Sequence, residues 1–188
     1  VSQHELREKL GYVPQKAVLF SGDIASNILY GNPDGSEAEM TEAATIAQAT
    51  EFIEQKKKKY KSTISQGGSN VSGGQKQRLS IARAIAKHPD IYIFDDSFSA
   101  LDYKTDATLR AKLKEKTSES TVMIVAQRIS TILHADQIIV LDDGQIVGKG
   151  THKELLKNCE AYYQIASSQL SEKELEEDLK EVESYAKR

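Results

Sequence analysis

The stretch "IYIFDDSFSALD" (residues 91–102) sets four apolar residues directly before two adjacent carboxylates, Asp95 and Asp96. The apolar run predicts a buried strand, and apolar side chains also follow the two acids. A pair of carboxylates at the end of a buried strand is costly unless a cation, such as a metal ion, pairs with it. The alternative interpretation is that Asp95 only caps a turn or helix after the strand.

The same alternation of short apolar runs and helical patterns continues to the C-terminal side. The runs "IYIF" (91–94), "TVMIVA" (121–126) and "QIIVL" (137–141) are separated by the helical segments "DATLRAKLKEKT" and "ISTILHA". This order predicts buried parallel strands joined by helices. Asp143 and Gly144 favour a tight hairpin into "QIVGKG", because Asp-Gly readily adopts positive φ angles. The sequence therefore predicts an α/β fold with a mostly parallel sheet and an antiparallel return at its edge.

The first half of the chain has helical patterns with recognisable caps. Asp23 is placed to begin a helix in "DIASNILYG", and Ser36 and Glu39 have the spacing of a capping box. Residues 16 to about 68 are therefore predicted to form a helical insertion.

Further helices are predicted beyond Thr151, and the last of them is acidic. Its apolar stripe comprises Leu175, Leu179, Val182 and Ala186. Because the stripe spans barely two heptads, it favours docking of a terminal helix onto its own domain over a dimer seam.

Composition excludes several kinds of protein. A single cysteine, Cys159, rules out an internal disulfide and a zinc site built from several cysteines. No apolar run approaches the ~20 residues needed to span a bilayer. The net charge of −3 resides in residues 171–188, which have seven acids and four bases, so the remainder is neutral and does not indicate nucleic-acid binding. The run "KKKKYK" (56–61) favours a solvated helix end over a phosphate or lipid contact.

The stretch "NVSGGQKQRLSIARA" (70–84) predicts a helix with an accessible N-terminus. Ser72 and Gln75 fit a capping box, and Gly73 and Gly74 allow close approach of another backbone or a ligand. Free N–H groups at such a helix start suit an anion such as phosphate. On these residues alone, an ordinary capped helix explains the pattern equally well.

The order of motifs resembles the nucleotide-binding domain of ABC transporters. "VSGGQ" is followed by "KQRLSIARA", "HPD", an apolar strand ending at Asp95, and "SALD". The resemblance implies an α/β, P-loop NTPase-like, mostly parallel sheet with flanking helices and an α-helical subdomain of the ABC ATPase type. It divides the chain into the end of the core up to the Q-loop (1–15), the helical subdomain with the signature motif (16–88), the α/β core (89–168) and an acidic C-terminal helix (169–188). The phosphate loop "GxxxxGK[ST]" is absent from the sequence, so the chain is expected to be truncated at its N-terminus.

The resemblance also assigns roles to individual residues. The signature loop, which binds the nucleotide of a partner domain, comprises Val71, Ser72, Gly73, Gly74 and Gln75. The D-loop comprises Ser99, Ala100, Leu101 and Asp102. Asp95 is expected to hold Mg²⁺ through a water molecule, and Gln15 to reach the same ion or the attacking water. ATP and Mg²⁺ are the implied cofactors.

Two candidate catalytic positions depart from the family pattern. Asp96 stands where the family usually has glutamate, and a shift of ~1 Å in a reacting group can cost ~10²-fold in rate. Gln127 in "VAQRIST" replaces the switch-loop histidine, and an amide can donate a hydrogen bond but cannot carry a positive charge. The signature loop is intact apart from Val71 in place of leucine. Together these departures resemble the degenerate half of a heterodimeric ABC exporter.

The expected function is therefore that of an ATP hydrolase domain of an ABC exporter at the cytoplasmic face of a membrane, inactive as an isolated chain. The expected partners are a second nucleotide-binding domain and the coupling helices of a transmembrane domain, which contact the segment "LFSGDIASNILYG". No nucleic acid partner and no membrane span are expected. Two alternatives stay open: a soluble ABC ATPase of the DNA-repair or translation type, and a noncatalytic regulatory half.

Overall fold

The computed structural model describes residues 2–176 and 178. These residues belong to two compact units, Val1–Val125 and Ala126–Arg188. The first unit contains α1 (Gln3–Glu8), β1 (Leu10–Val13), β2 (Gly22–Asp23), α2 (Ile24–Ile28), α3 (Glu37–Ile46), α4 (Thr50–Glu54), β3 (Thr63–Ile64), α5 (Gly73–Ala86), β4 (Ile91–Asp95), α6 (Tyr103–Lys116) and β5 (Thr121–Val125). The second contains α7 (Ile129–Ile132), β6 (Ile138–Asp142), β7 (Gln145–Gly150), α8 (His152–Asn158) and α9 (Glu160–Ser167). The four-segment division expected from the sequence stays a prediction.

The predicted parallel sheet is confirmed for three strands of the first unit. They lie in the order β1-β4-β5, and all pairs are parallel. Val13 pairs with Phe94, and both side chains are fully buried. The carboxyl ends of β1 and β4 therefore meet at one edge of the sheet, where Gln15 and the two carboxylates follow.

The strands after β4 are less buried than the sequence suggested. Val122, Met123 and Val125 of β5 are exposed, although β5 pairs with β4 along its whole length. The run at 137–141 forms β6, which pairs with β7 in an antiparallel hairpin and has no parallel neighbour among the described residues. Apolar composition predicted these strands correctly, but their burial depends on neighbours that composition does not specify.

The insertion predicted at residues 16–68 is mainly helical. Asp23 caps α2, and Ser36 and Glu39 form the predicted capping box of α3. The two-residue strands β2 and β3 pair with each other, a contact that was not predicted, and close the insertion near its two ends. Its buried side chains join α5 in the main hydrophobic core of the unit.

The second unit has its own core around the hairpin and α9. Asp143 and Gly144 have φ angles of 45° and 75°, which confirms the predicted turn. Leu175 is buried in this core, in line with docking of the terminal segment, whereas Leu179, Val182 and Ala186 lie outside the described residues. Within the described part of the chain, no helix is both long and apolar enough to cross a bilayer.

Candidate functional site

Asp95 is the last residue of β4, and its carboxylate is half-buried. The hydroxyl of Tyr12 on the neighbouring strand β1 donates a hydrogen bond to Asp95 Oδ2 at 3.0 Å. This hydrogen bond raises the pKa of Tyr12, because loss of the phenolic proton would leave two negative groups in contact. The bond holds the carboxylate at the edge of the sheet.

Asp96 has a left-handed backbone conformation with a φ angle of 45°. Its N–H donates to the carbonyl of Val125 at 2.9 Å, which fixes the turn after β4. Gln15 Nε2 donates to Asp96 Oδ2 at 3.2 Å, and Ser99 Oγ donates to the carbonyl of Asp96 at 2.9 Å. The structure thus brings together the predicted Q-loop glutamine, the predicted catalytic acid and the first D-loop residue.

The sequence pattern led us to expect two buried acids whose burial cost a cation offsets, and the expected burial is wrong. Both carboxylates are half-buried rather than buried, and each accepts a hydrogen bond from a neighbouring side chain. The desolvation cost is therefore smaller than the sequence pattern indicated.

The side-chain oxygen atoms of Asp95 and Gln15 could supply some of the ligands of a magnesium ion. Mg²⁺ prefers oxygen ligands and is usually bound by one or two carboxylates together with substrate phosphates and water. Asp95 and the amide oxygen of Gln15 match that requirement in chemical type. Among the residues that the structure describes, no three acidic, histidine or cysteine side chains form a metal-binding group. These residues would therefore hold the ion only jointly with a nucleotide.

The signature loop forms the N-terminus of α5 as predicted. Ser72 Oγ accepts from the N–H of Gln75, and Gln75 Oε1 accepts from the N–H of Ser72, both at 3.2 Å. Gly73 is exposed, and a Cβ atom added there would meet nothing within 4 Å. A Cβ atom on Gly74 would lie 3.4 Å from the carbonyl oxygen of Ala100. Gly74 therefore permits close packing against the D-loop, whereas the fold itself gives Gly73 no reason to be glycine.

The predicted residues Leu101, Asp102 and Gln127 lie just before the first residues of helices. Leu101 is buried, and Asp102 caps α6 by accepting from the N–H of Thr105 at 2.9 Å. Hydrogen bonds from the side chain and then from the backbone N–H of Thr105 lower the pKa of Asp102. Gln127 is an exposed residue of the second unit, and its carbonyl accepts from Gln169 Nε2 at 2.8 Å. Its expected role in the switch loop stays a prediction.

An aromatic cluster on the helical insertion was not predicted. The rings of Phe20 and Tyr30 stack with their centroids 4.4 Å apart, and the guanidinium of Arg83 lies 4.9 Å from the Phe20 centroid. Arg83 also donates to Asn27 Oδ1 and to the carbonyl of Val18 at 2.9 and 3.0 Å. These contacts support the cluster from one side, yet Phe20 and Tyr30 are 42% and 60% exposed.

Three further residues that contact the site were missed. Tyr12, Gln77 and Ser97 each donate a side-chain hydrogen bond to the site or to the segment before Gln15. A signal was available for Gln77, which occupies a buried position of α5 among Leu79, Ile81 and Ala84. A polar residue at a buried helix position indicates a hydrogen-bond partner in the core.

Comparison with known proteins agrees with this geometry. The ABC transporter family model matches residues 1–99. An uncharacterized ABC transporter ATP-binding protein of Mycobacterium bovis is 48% identical over 163 residues, which are 85% of this chain and 28% of that protein. A Staphylococcus aureus protein with the provisional name multidrug export ATP-binding/permease protein is 42% identical over 164 residues, 87% of this chain and 28% of its own length.

A solved structure of an ABC exporter also has the same fold as this chain. A bacterial Atm1-family ABC exporter with ATP bound superposes with a TM-score of 0.87 at 38% identity, over 92% of this chain and 30% of the exporter. The chain thus spans less than a third of the length of these relatives. It belongs to the ABC transporter family and has the fold of an exporter-type ATP-binding domain.

Proposed function

We propose that the chain is part of the degenerate ATP-binding half of a heterodimeric exporter, whose signature loop completes the nucleotide site of a partner domain. The observation that carries this proposal is the open space around Gly73. Glycine is a poorer helix former than alanine, and no contact within the chain requires it at Gly73, the first residue of α5. A close approach from outside the chain explains the residue.

The ligand that best fits this helix start is a phosphate. The capping box satisfies the N–H groups of Ser72 and Gln75 within the chain. The N–H groups of the two intervening glycines and the positive end of the helix dipole face outward from the first turn. Such a site binds anions readily, and a γ-phosphate held by a second domain has the required charge. MgATP at the domain interface is therefore the proposed ligand.

The chain's own site is proposed to bind nucleotide but to hydrolyse it poorly. Magnesium, when bound with ATP, neutralises charge on the phosphate oxygens. Asp95 would hold the ion, and Gln15, already hydrogen-bonded to Asp96, would orient the attacking water. Asp96 is one methylene shorter than the usual glutamate, and Gln127 cannot supply a positive charge. Both differences weaken catalysis at this site without affecting the signature loop.

The aromatic cluster is the proposed contact for a coupling helix of the transmembrane part. It lies within the segment 19–31 that resembles the exporter pattern, and its rings are exposed although Arg83 lies against both of them and Asn27 is hydrogen-bonded to the Phe20 backbone. Exposed aromatic side chains on a rigid support are typical anchors of protein interfaces. The domain would accordingly lie at the cytoplasmic face of a membrane as part of the complete exporter.

Changing both Phe20 and Tyr30 to alanine in the full-length protein is expected to uncouple transport from ATP hydrolysis. Loss of two aromatic anchors typically costs an interface about 2 kcal/mol or more, or roughly a 30-fold loss of affinity. Dye transport into inside-out vesicles should fall about tenfold or more on this basis, while ATP turnover changes much less. Tyr103→Ala, which truncates a 78% exposed tyrosine of α6, is the matched control. Unchanged transport in the double variant would refute the proposed contact.

The isolated 188-residue chain is expected neither to bind MgATP tightly nor to hydrolyse it. The sequence has no "GxxxxGK[ST]" loop, so the backbone N–H groups and the lysine that hold the phosphates are missing. Calorimetric titration with MgATP should show a Kd weaker than about 1 mM. A full-length protein that contains the chain and a phosphate loop should bind in the micromolar range. Micromolar affinity and measurable turnover by the isolated chain would be incompatible with this account.

Altering the signature loop in the heterodimer separates the proposal from a purely regulatory function. The departures at Asp96 and Gln127 are also consistent with a half that binds nucleotide and its partner without supporting turnover. In that case, altering the signature loop would change pairing of the two domains but leave the turnover rate intact.

A further inference from the structure

Gln77 is a buried polar residue on the mainly apolar buried side of α5. Its side chain is 2% exposed, and burial of an amide is costly unless the amide is hydrogen-bonded. Its Nε2 donates to the carbonyl of Pro14 at 3.3 Å. The amide of Gln77 therefore holds the backbone directly before Gln15. An apolar side chain of similar size could not make this hydrogen bond.

The segment before Gln15 leaves the sheet at this point. Val13 is the last residue of β1 paired with β4, and Pro14 has no N–H with which to extend the ladder. Ser97, whose side chain is fully buried, donates from Oγ to the carbonyl of Val13 at 2.9 Å. Two successive carbonyls before Gln15 are thus held by buried side chains, one from α5 and one from the loop after β4.

We propose that Gln77 is a positioning residue that couples the signature loop to Gln15. Gly73 and Gln77 lie one turn apart on the same helix, so a movement of the helix start is transmitted directly to the carbonyl of Pro14. Gln15 follows Pro14 and is hydrogen-bonded to Asp96. This inference rests on the proposed function, in which the signature loop contacts the partner's nucleotide and Gln15 belongs to the chain's own site. Gln77 then links the two nucleotide sites.

The positioning role is tested by NMR relaxation on the isotopically labelled chain. Gln77→Met keeps the length and apolar stem of the side chain but removes the donor. The backbone order parameter of Gln15 is expected to fall from about 0.85 to below about 0.6. Ile81→Val is the matched control, because it removes a methyl group from the same buried face of α5 and removes no hydrogen bond. An unchanged order parameter in folded Gln77→Met would overturn the inference. Gln77→Leu replaces the methionine variant if that variant does not fold.

A second measurement in the full-length protein separates this inference from the proposed function. With the partner's catalytic acid replaced, so that only this site can react, Gln77→Met should lower the single-turnover rate about fivefold, the loss expected from one hydrogen bond. The ATP concentration that gives half the maximal rate should stay unchanged, because Gln77 contacts no nucleotide. Mobility at Gln15 without any change in this rate would support the positioning role and contradict the proposed use of Gln15 in the reaction cycle.

Discussion

Replacing Gly73 with aspartate should abolish most ATP turnover of the full-length assembly while this chain stays folded. In the proposed arrangement, the new carboxylate lies where the partner's γ-phosphate approaches the signature loop. Two unit negative charges ~4 Å apart repel by about 4 kcal/mol at an effective dielectric constant of 20. This energy corresponds to roughly a thousandfold loss of rate. Steady-state ATPase activity of the purified heterodimer measures the effect.

The fold gives no independent reason for such a loss. A Cβ atom at Gly73 would meet nothing within 4 Å, and the residue is not among those with a positive φ angle. A negative charge in the first turn of a helix stabilises it, typically by about 0.3–1 kcal/mol. Thermal unfolding of Gly73→Asp should therefore occur at or slightly above the wild-type temperature.

Two control variants test whether the loss of turnover in Gly73→Asp comes from a negative charge next to the phosphate. One adds bulk without charge, and the other adds the charge at a different position. Gly73→Ala adds a methyl group without charge and should reduce turnover much less than the aspartate. Ser69→Asp introduces the same charge at an exposed position just before the signature loop, and its turnover should stay close to that of the wild type. If Gly73→Asp were as active as Ser69→Asp, the signature loop would not contact nucleotide.

Changing Asp96 to asparagine should lower ATPase activity of the heterodimer less than threefold, whereas the same change at the partner's catalytic acid should lower it by ~10²-fold or more. In the proposed function, the shortened carboxylate orients the attacking water poorly, and this site would therefore contribute little to total turnover. Gln127→Ala should likewise have a small effect, because an uncharged amide stabilises the γ-phosphate charge less than an imidazolium would. Parallel ATPase assays of the single variants check the contrast.

The geometry of Asp96 supports a weak rather than an absent catalyst. Its carboxylate is anchored by Gln15 Nε2 at 3.2 Å, and its left-handed φ angle of 45° is tolerated better by aspartate than by most residues. Nucleotide should therefore reside longer at this site and hold the two domains together while the opposite site turns over. The combined change Asp96→Glu and Gln127→His should raise hydrolysis here if the partner's signature loop is competent. Equal loss of activity from Asp96→Asn and from the partner's acid would contradict the asymmetry.

Features encoded by neighbouring residues could be predicted from the sequence. The capping boxes at Ser36 and Ser72 and the turn at Asp143 each depend on two residues within a few positions, so their spacing alone identifies them. The mostly parallel sheet was implied by the family resemblance, and runs of apolar residues located β4 and β5. The strand β1 and the order of the three strands were not predicted.

Features that depend on distant contacts could not be predicted in this way. The hydrogen bond from Tyr12 to Asp95 joins residues 83 positions apart, and Gln77 reaches Pro14 across 63 positions. The pairing of Gly22 with Ile64 involves strands of only two residues, too short for any periodicity to appear. The burial of Asp95 and Asp96 was overestimated for the same reason. Their surroundings include Tyr12 and Gln15, which are more than 80 positions away in the sequence.

The central claim is that this chain serves its partner's site with an intact signature loop while its own site is a poor catalyst. Single-turnover hydrolysis in the heterodimer with the partner's catalytic acid replaced tests it most directly, because only the site that contains Asp96 can then react. The account predicts a hydrolysis rate at least ~10²-fold below that of the wild-type heterodimer, with ATP retained at the interface. A rate comparable with the wild type would show that Asp96 is a working base and would contradict the account.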